Sequence, residues 1–595
     1  MRNIVEDVLT KERTKRLWTT NYFPALPITP QDFDIGAVLP TMLYLARFGH
    51  RRGKGKFVST FGQSTTGGLK APTVSDVAER LTARHTTQIQ GFDDEIGKAV
   101  LSDLLLSRCL ENRKHAQGHH EQVQRIFPTH YFASWIDLPE QSVNLRNVPE
   151  LLTALLASQP VGESLDPLGV GPFPVGVADL AQNRLLALFG RHCAIRGPHA
   201  ANLASDVFLE DIAEDIGIDE LLAIRIANAC GNAPDSAGKD NNIPNRHPLA
   251  SLAAGALQED LAVFISAYGR AIPRHAFLQM LEAGIGLGLL NLLLSTAHIV
   301  NDWEHTGEVI AGALQTGLPL FVDASQGQNG TLRELSEASL TECLRRYDRL
   351  PVGMMLLRVL DEAVASDPDL KDALPQGHPA PSDRVGFLGD ILHERHPDAR
   401  LIRRDLDRDC QRLADSLERN DFAENVVTIL RSKDRNAAVR LAEALCDLMG
   451  DRQQAAKFRL ALDSALLTDK SNGLAVRRRV SRTVDGRRRS LDVRSIVLSS
   501  ATLDFLVHRH LRDGVDGESS CPLTLHHFLD LLRDRYGLFV DQEPPGQLIP
   551  RELLLKNKAW LERRLRDLGL LIGVNDAESM KQLRPRYQGV ASHVD

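Results

Sequence analysis

Apolar residues recur at three- and four-residue spacing along most of this chain, the period of helices that bury one stripe and wet the other. Leu39, Met42, Leu43, Leu45 and Ala46 form such a face over 35–48. Val74, Val77, Ala78 and Leu81 form another over 73–85, with Thr73 or Ser75 placed to cap it, and the signal continues over 96–111. A Gly- and Pro-rich break at 161–177 is followed by short helical patterns at 180–189, 206–216 and 220–229 and by longer ones across 249–300. A second break at 366–383 holds Pro368, Pro375, Pro379 and Pro381, after which consecutive helices are predicted at 401–417, 422–430, 437–449 and 454–467.

Period-two alternation is scarce, and so informative where it occurs. Leu318 to Val322 predicts an isolated strand that runs into Asp323, Ser325 and Gly327, and a capping box from Thr331 to Glu334 opens the next helix. The clearest local feature is a β-hairpin: residues 476–484 and 487–494 alternate on either side of Asp485-Gly486, a pair that favours a type I′ turn. Counting outward sets Val484 opposite Arg487, Val480 opposite Leu491 and Arg478 opposite Val493, so Val476, Val480, Val484, Leu491 and Val493 share a face. Helices follow at 499–511 and 522–536, a strand at 538–540, a helix at 551–568 and a strand at 570–572. On the 551–568 helix, Leu554, Trp560, Leu561, Leu565 and Leu568 face inward while Lys556, Arg563 and Arg566 stay out.

These elements predict a mainly α, multi-domain protein. The expected division is an N-terminal helical domain (1–160), a central helical domain (161–365), a linker (366–383), a further helical domain (384–470) and a terminal domain (471–595) that carries the hairpin. With 595 residues, 43% of them hydrophobic and only 5% aromatic, the chain can bury several cores built on aliphatic side chains. The segment from Ala283 to Val300 is long and apolar enough to span a membrane, but it holds Asn291, Ser295, Thr296 and His298 and has no second counterpart. It reads as a helix buried on all sides, with Gly284, Gly286 and Gly288 admitting close neighbours. Seven scattered cysteines without a CxxC pair argue against a disulfide framework, and the first 18 residues contain acids and lack a continuous apolar signal core. A cytoplasmic protein without a membrane partner is expected.

Charge adds an asymmetry. The net charge is −7, yet residues 401–595 hold 34 Lys and Arg against 29 Asp and Glu, which leaves −12 for the first 400. Within the basic third, Arg477, Arg478, Arg479, Arg482, Arg487, Arg488, Arg489 and Arg494 crowd onto the hairpin, opposed only by Asp485 and Asp492. Such a ribbon suits nucleic-acid phosphate; an acidic protein surface or plain solvation are the competing readings.

Other candidate chemistry is thinner. His115 and His119 are four apart with Glu121 nearby, a spacing that chelates metal on a helix, although Gly118 between them weakens that helix. His393 and His396 are only three apart and are followed at once by Pro397, which breaks the zinc-protease spacing. Asp323 and Ser325 could hold a ligand at a strand end or simply form a turn. His508, His510, His526 and His527 crowd near Cys521 but point in different directions, which fits surface and interface positions. The chain has neither a GxxxxGK[ST] phosphate loop nor a GxSxG elbow, so no catalytic residue, metal ligand or cofactor is assigned.

From Pro522 to Tyr587 the order of elements, ending in LERRLRDLGLLIGV, resembles a winged-helix module, in which a recognition helix closes at a glycine and runs into a wing. The resemblance implies either DNA binding or protein docking, and Glu552, Glu562, Asp567 and Asp576 weigh toward docking. The segments FPTHYFASWIDLP, LPLFVDASQG and ERRLRDLGLLIGVNDAESMKQLRPRY together resemble accessory subunits that accompany ATPases or nucleases in bacterial phage-defence loci. The implied function is a non-catalytic scaffold or adaptor in a DNA-associated complex. It would engage DNA or another nucleic acid, or a partner such as an ATPase or nuclease subunit, through the eight hairpin arginines and Lys556, Arg563 and Arg566. Two rival classes are a metal-dependent hydrolase or nuclease drawing on His115, His119, Glu121 or Asp323, and a transcriptional regulator.

Overall fold

The computed structural model describes residues 1–49, 57–83, 89–111, 145–161, 247–310, 319–373, 380–573 and 581–589, apart from positions 67, 71, 109, 421–422, 451–453, 485–486 and 515–516, together with short pieces between 125 and 230. The fold is mainly α-helical, as the periodicity predicts, and it divides into two compact units. One comprises residues 33–161 and 166–245, the other residues 1–32, 162–165 and 246–595.

In the first of these units, helix Ile35–Phe48 begins where the Asp34 carboxylate accepts from the Gly36 amide at 3.2 Å, and it ends at Gly49 in a left-handed turn. It packs on Val148–Ala157, a helix buried along its whole length. Helix Val74–Thr82 opens with a reciprocal capping box between Thr73 and Asp76 and packs on Glu95–Arg108. The helical signal over 96–111 stops early: Leu110–Glu111 pairs as a strand with Arg125–Ile126. Within 206–216, Val207–Leu209 is likewise a strand, paired with Cys193–Ile195. A Val-Phe-Leu triplet favours the pleated conformation, and across three residues a cross-strand partner outweighs a helical period.

The larger unit is organised around helix Arg274–Thr306, 33 residues long and apolar enough to cross a membrane by length and composition. The most apolar window of this helix is 89% buried inside the protein. Three glycines let neighbours reach its backbone. A Cβ on Gly284 would lie 2.4 Å from the Phe505 ring, one on Gly286 2.7 Å from the Ala465 carbonyl, and one on Gly288 2.1 Å from Leu257. Gly284→Ala is therefore expected to lower stability by about 1–3 kcal/mol through overpacking. Gly255→Ala, on a neighbouring helix with nothing within 4 Å of its new methyl, should leave the thermal midpoint unchanged or slightly raised. Equal midpoint losses in the two variants would show that the close approach at Gly284 carries no constraint.

Around this axis, Leu350–Ser366 packs against both the long helix and Ala437–Met449, and Ala399–Arg419 packs against Glu424–Arg431 and Ala437–Met449. Arg13, on helix Lys11–Leu17, reaches Glu362 at 2.8 Å and Asp409 at 2.9 Å and so ties the amino-terminal helices to two members of the bundle. Part of the break at 366–383 is ordered as a short helix, Pro368–Ala373.

Of the strand predicted at 318–322, Leu320–Phe321 is observed, and its partners are far away in sequence. Leu538–Phe539 pairs with it in parallel, and Val322 bridges in parallel to Ile496 at the foot of the hairpin. Helix Gly330–Tyr347 lies against this junction: Ser336 Oγ donates to the Phe321 carbonyl at 2.7 Å and accepts from the Ile496 amide at 2.8 Å. This helix is capped by Asn329, whose Oδ1 accepts from Thr331 and Leu332, so Thr331 lies in the first turn and is not the cap. At the carboxy terminus, Leu523–Thr524 is a strand where the sequence predicts the start of a helix, and Thr524 caps helix Leu525–Tyr536. Helix Arg551–Asp567 and strands Leu571–Ile572 and Gln582–Leu583 follow. The three strands form an antiparallel sheet with Gln582–Leu583 in the centre.

Candidate nucleic-acid interface

The hairpin folds in the register its turn dictates. Ala475–Val484 and Arg487–Ile496 pair antiparallel, with Val484 opposite Arg487, Val480 opposite Leu491 and Arg478 opposite Val493. Two bidentate ion pairs fasten its foot to the body. Arg478 donates to both carboxylate oxygens of Glu337, at 3.0 and 2.8 Å, and Glu337 holds the Arg478 guanidinium above its ordinary pKa. Arg494, on the other strand, donates to both oxygens of Asp463 at 2.5 and 2.6 Å. Arg477 adds a backbone and a side-chain bond to Asp469, at 2.8 and 3.1 Å.

The eight arginines thus separate by position. Arg477, Arg478 and Arg494 engage carboxylates of the body, and Arg479 lies 3.6 Å from Asp492 on the facing strand. Arg482, Arg487, Arg488 and Arg489 occupy the distal rungs, with Arg482 opposite Arg489 and Arg488 opposite Thr483. Sequence spacing could not separate these groups, because Glu337 lies 141 residues from Arg478.

The outward cations of the terminal helix are where the wheel puts them. Lys556, Arg563 and Arg566 are exposed; Arg563 stacks 5.8 Å from the Trp560 ring centre and lies 3.9 Å from Asp567, while Arg566 lies 3.9 Å from Glu562. Two inward polar residues were missed in the sequence. Asn557 is fully buried: its Nδ2 donates to the Val322 and Val540 carbonyls at 2.8 and 2.9 Å, and its Oδ1 accepts from the Ala324 amide at 3.0 Å. Arg564 donates to the Leu498 carbonyl, and burial pushes its pKa down to about 10, opposed by Asp323. The only sequence signal for either was a polar residue within the otherwise apolar stripe.

The remaining candidates resolve into structural roles where they are described. Asp323 is fully buried and accepts from the Ser325 amide and hydroxyl and from the Gly327 amide, so it closes a turn. His393 and His396 lie beyond the end of helix Pro381–Leu392. His508 is buried, with Nδ1 2.7 Å from the Asp504 carbonyl and Nε2 accepting from the Arg586 and Tyr587 amides at 3.2 and 3.3 Å. Burial pushes its pKa down to about 4, so it is a neutral fastener for the terminal segment. His510 contacts the Tyr536 hydroxyl at 2.9 Å and is held well below its ordinary pKa, chiefly by burial. His115, His119 and Glu121 lie outside the described residues. Among the described residues no group of three or more His, Cys, Asp or Glu is arranged to hold a metal ion.

A family model described as Methylation-associated defense system protein MAD7 matches residues 27–587. No curated protein and no solved structure matches the chain.

Proposed function

This chain belongs to the family of the methylation-associated defense system protein MAD7, and from that premise we propose that it is a non-catalytic helical adaptor of a bacterial phage-defence complex. Its carboxy-terminal third contacts DNA and partner subunits. The observation that carries this reading is the clamped hairpin. Carboxylates of the body neutralise the arginines at its foot and fix its direction, and the distal rungs bring Arg482, Arg487, Arg488 and Arg489 together in register. A rigid stem with its charge concentrated distally suits a phosphate backbone. Helices Ser500–His510, Leu525–Tyr536 and Arg551–Asp567 accompany the three-stranded antiparallel sheet of Leu523–Thr524, Leu571–Ile572 and Gln582–Leu583, with the last strand central, and this set supports a winged-helix reading of the adjoining segment, although the additional pairs Arg512–Asp513 with Ser519–Ser520 and Leu538–Phe539 with Leu320–Phe321 lie outside that pattern.

The test is the salt dependence of duplex binding. Replacing all four distal arginines with alanine should lower the slope of log K against log salt by about 3 to 4, near 0.9 for each lost phosphate contact. Arg478→Ala with Arg494→Ala should instead lower the unfolding temperature and shift that slope far less. An unchanged slope in the distal variant would remove the hairpin as a phosphate site.

A further inference from the structure

Beyond the rung of Arg479 and Asp492 the hairpin continues for five more, from Val480 opposite Leu491 to Val484 opposite Arg487. Those ten residues include four arginines and no acid, and Asp485 is the one carboxylate between the two strands. Alternation places Arg482, Arg487 and Arg489 on one face together with Val480, Val484 and Leu491, and Ser481, Thr483, Arg488 and Ser490 on the other. Arg482 stands directly opposite Arg489, an arrangement of like charges that costs stability unless an anion lies against it. The foot is held on both faces of the ribbon, by Glu337 of helix Gly330–Tyr347 against Arg478 and by Asp463 of helix Ala455–Ala465 against Arg494.

We propose that these five distal rungs seat in the major groove of B-form DNA and bridge its two backbones, a step that rests on the phosphate-binding reading above and names the groove and the class of nucleic acid. Five rungs extend roughly 17 Å, and a ribbon with side chains is about 10 Å thick. A groove about 12 Å wide and 8.5 Å deep admits such a ribbon, whereas the minor groove, at about 6 Å, does not. Arg482 and Arg489 leave different strands at one rung, so they can meet phosphates on opposite walls, and Arg487 and Arg488 follow Arg489 to the second wall. The apolar positions favour the same groove, because thymine methyl groups project into it and Val480, Val484 and Leu491 share the face of three arginines. Other nucleic acids fit less well. An RNA duplex closes its major groove to side chains. Single strands are held by stacking on aromatic rings, and residues 475–496 contain no Phe, Tyr or Trp.

The experiment measures binding of the full chain to one DNA duplex in three forms: unmodified, with every cytosine carrying a glucosylated 5-hydroxymethyl group, and saturated with netropsin. The sugar fills the major groove and leaves the phosphates and the minor groove in place; netropsin fills the minor groove alone. Affinity should fall about tenfold or more on the glucosylated duplex, as excluded arginines forfeit their phosphate contacts, and should be unchanged by netropsin. An RNA duplex of the same sequence should bind as weakly as the glucosylated DNA. Replacing Arg482, Arg487, Arg488 and Arg489 with alanine should bring the ratio between unmodified and glucosylated duplex close to one. Equal binding to the glucosylated or RNA duplex, displacement by netropsin, or a ratio that survives in the four-arginine variant would each overturn the groove assignment while leaving the salt slope intact. Failure to bind any duplex, the outcome expected if the arginines meet an acidic protein instead, would remove the phosphate reading and the groove with it.

Discussion

Asp260→Ala is expected to destabilise the larger unit by about 3–5 kcal/mol, the range for removing one partner from a buried charged network. Asp260, 4% exposed on helix Ser251–Tyr268, accepts from Arg509 Nε at 2.9 Å, Arg535 Nη2 at 2.7 Å and the Tyr536 hydroxyl at 2.8 Å. Those donors come from helices Ser500–His510 and Leu525–Tyr536, so one carboxylate joins three helices. Without it, the half-exposed Glu259 is the one carboxylate of this network left to both guanidiniums, at 3.0 and 2.8 Å, beside the Arg512 and Ala256 carbonyls, and the Tyr536 hydroxyl keeps only its contact with His510. Because Glu259 is in contact with water, Glu259→Gln should cost about 1 kcal/mol or less. Hydrogen exchange is the sensitive readout: amides of Leu525–Tyr536 should lose protection in Asp260→Ala well before those of Ala437–Met449. A loss no larger than that of Glu259→Gln would mean the network contributes nothing beyond a surface pair.

How much of this was legible in the sequence depended on the range of the forces involved. The hairpin's register was read to the residue because an Asp-Gly turn and a period-two pattern are local, and together they leave one register; its strands run one and two residues further at the foot than the pattern marks. Helix 437–449 was read to its ends for the same reason. Strand 320–321 was also visible, but its partner 538–539 and its bridge to Ile496 were not, since nothing local in a short apolar run names what it will pair with. The same limit explains the arginines. Their density marked the hairpin as basic, but only the fold reveals that Glu337 and Asp463 neutralise two at its foot, which leaves Arg482, Arg487, Arg488 and Arg489 on the distal rungs. The histidine cluster, read as surface and interface positions, is drawn further in than that, with His508 fully buried. His508 accepts from the Arg586 amide and His510 contacts the Tyr536 hydroxyl, so both fasten neighbouring segments.

Asn557 provides the second large effect, and its sign can be set by pH. Its amide answers three backbone groups just past the ends of two strands: the Val322 and Val540 carbonyls and the Ala324 amide. Asn557→Leu keeps the branching and heavy-atom count, though with larger methyl ends, and orphans all three, at about 1–3 kcal/mol for each buried group, so the seating of helix Arg551–Asp567 should weaken by roughly 3–5 kcal/mol after partial relaxation. Asn557→Asp discriminates between loss of packing and loss of hydrogen bonding. A carboxylate can still accept from Ala324, but its second oxygen would face two carbonyl oxygens, an arrangement that favours the protonated acid and raises its folded-state pKa above the ordinary value near 4. A raised folded pKa adds stability below the unfolded value and loses it as pH climbs through the folded one. Asn557→Asp should therefore approach the parent protein in mild acid and fall progressively behind it toward neutral pH, whereas Asn557→Leu should trail by the same margin throughout. Protection of the amides of Arg551–Asp567, followed by hydrogen exchange at several pH values, reads both curves. If the two variants keep a constant gap from pH 4 to 8, the three bonds to Asn557 are not what seats the terminal helix on the strand.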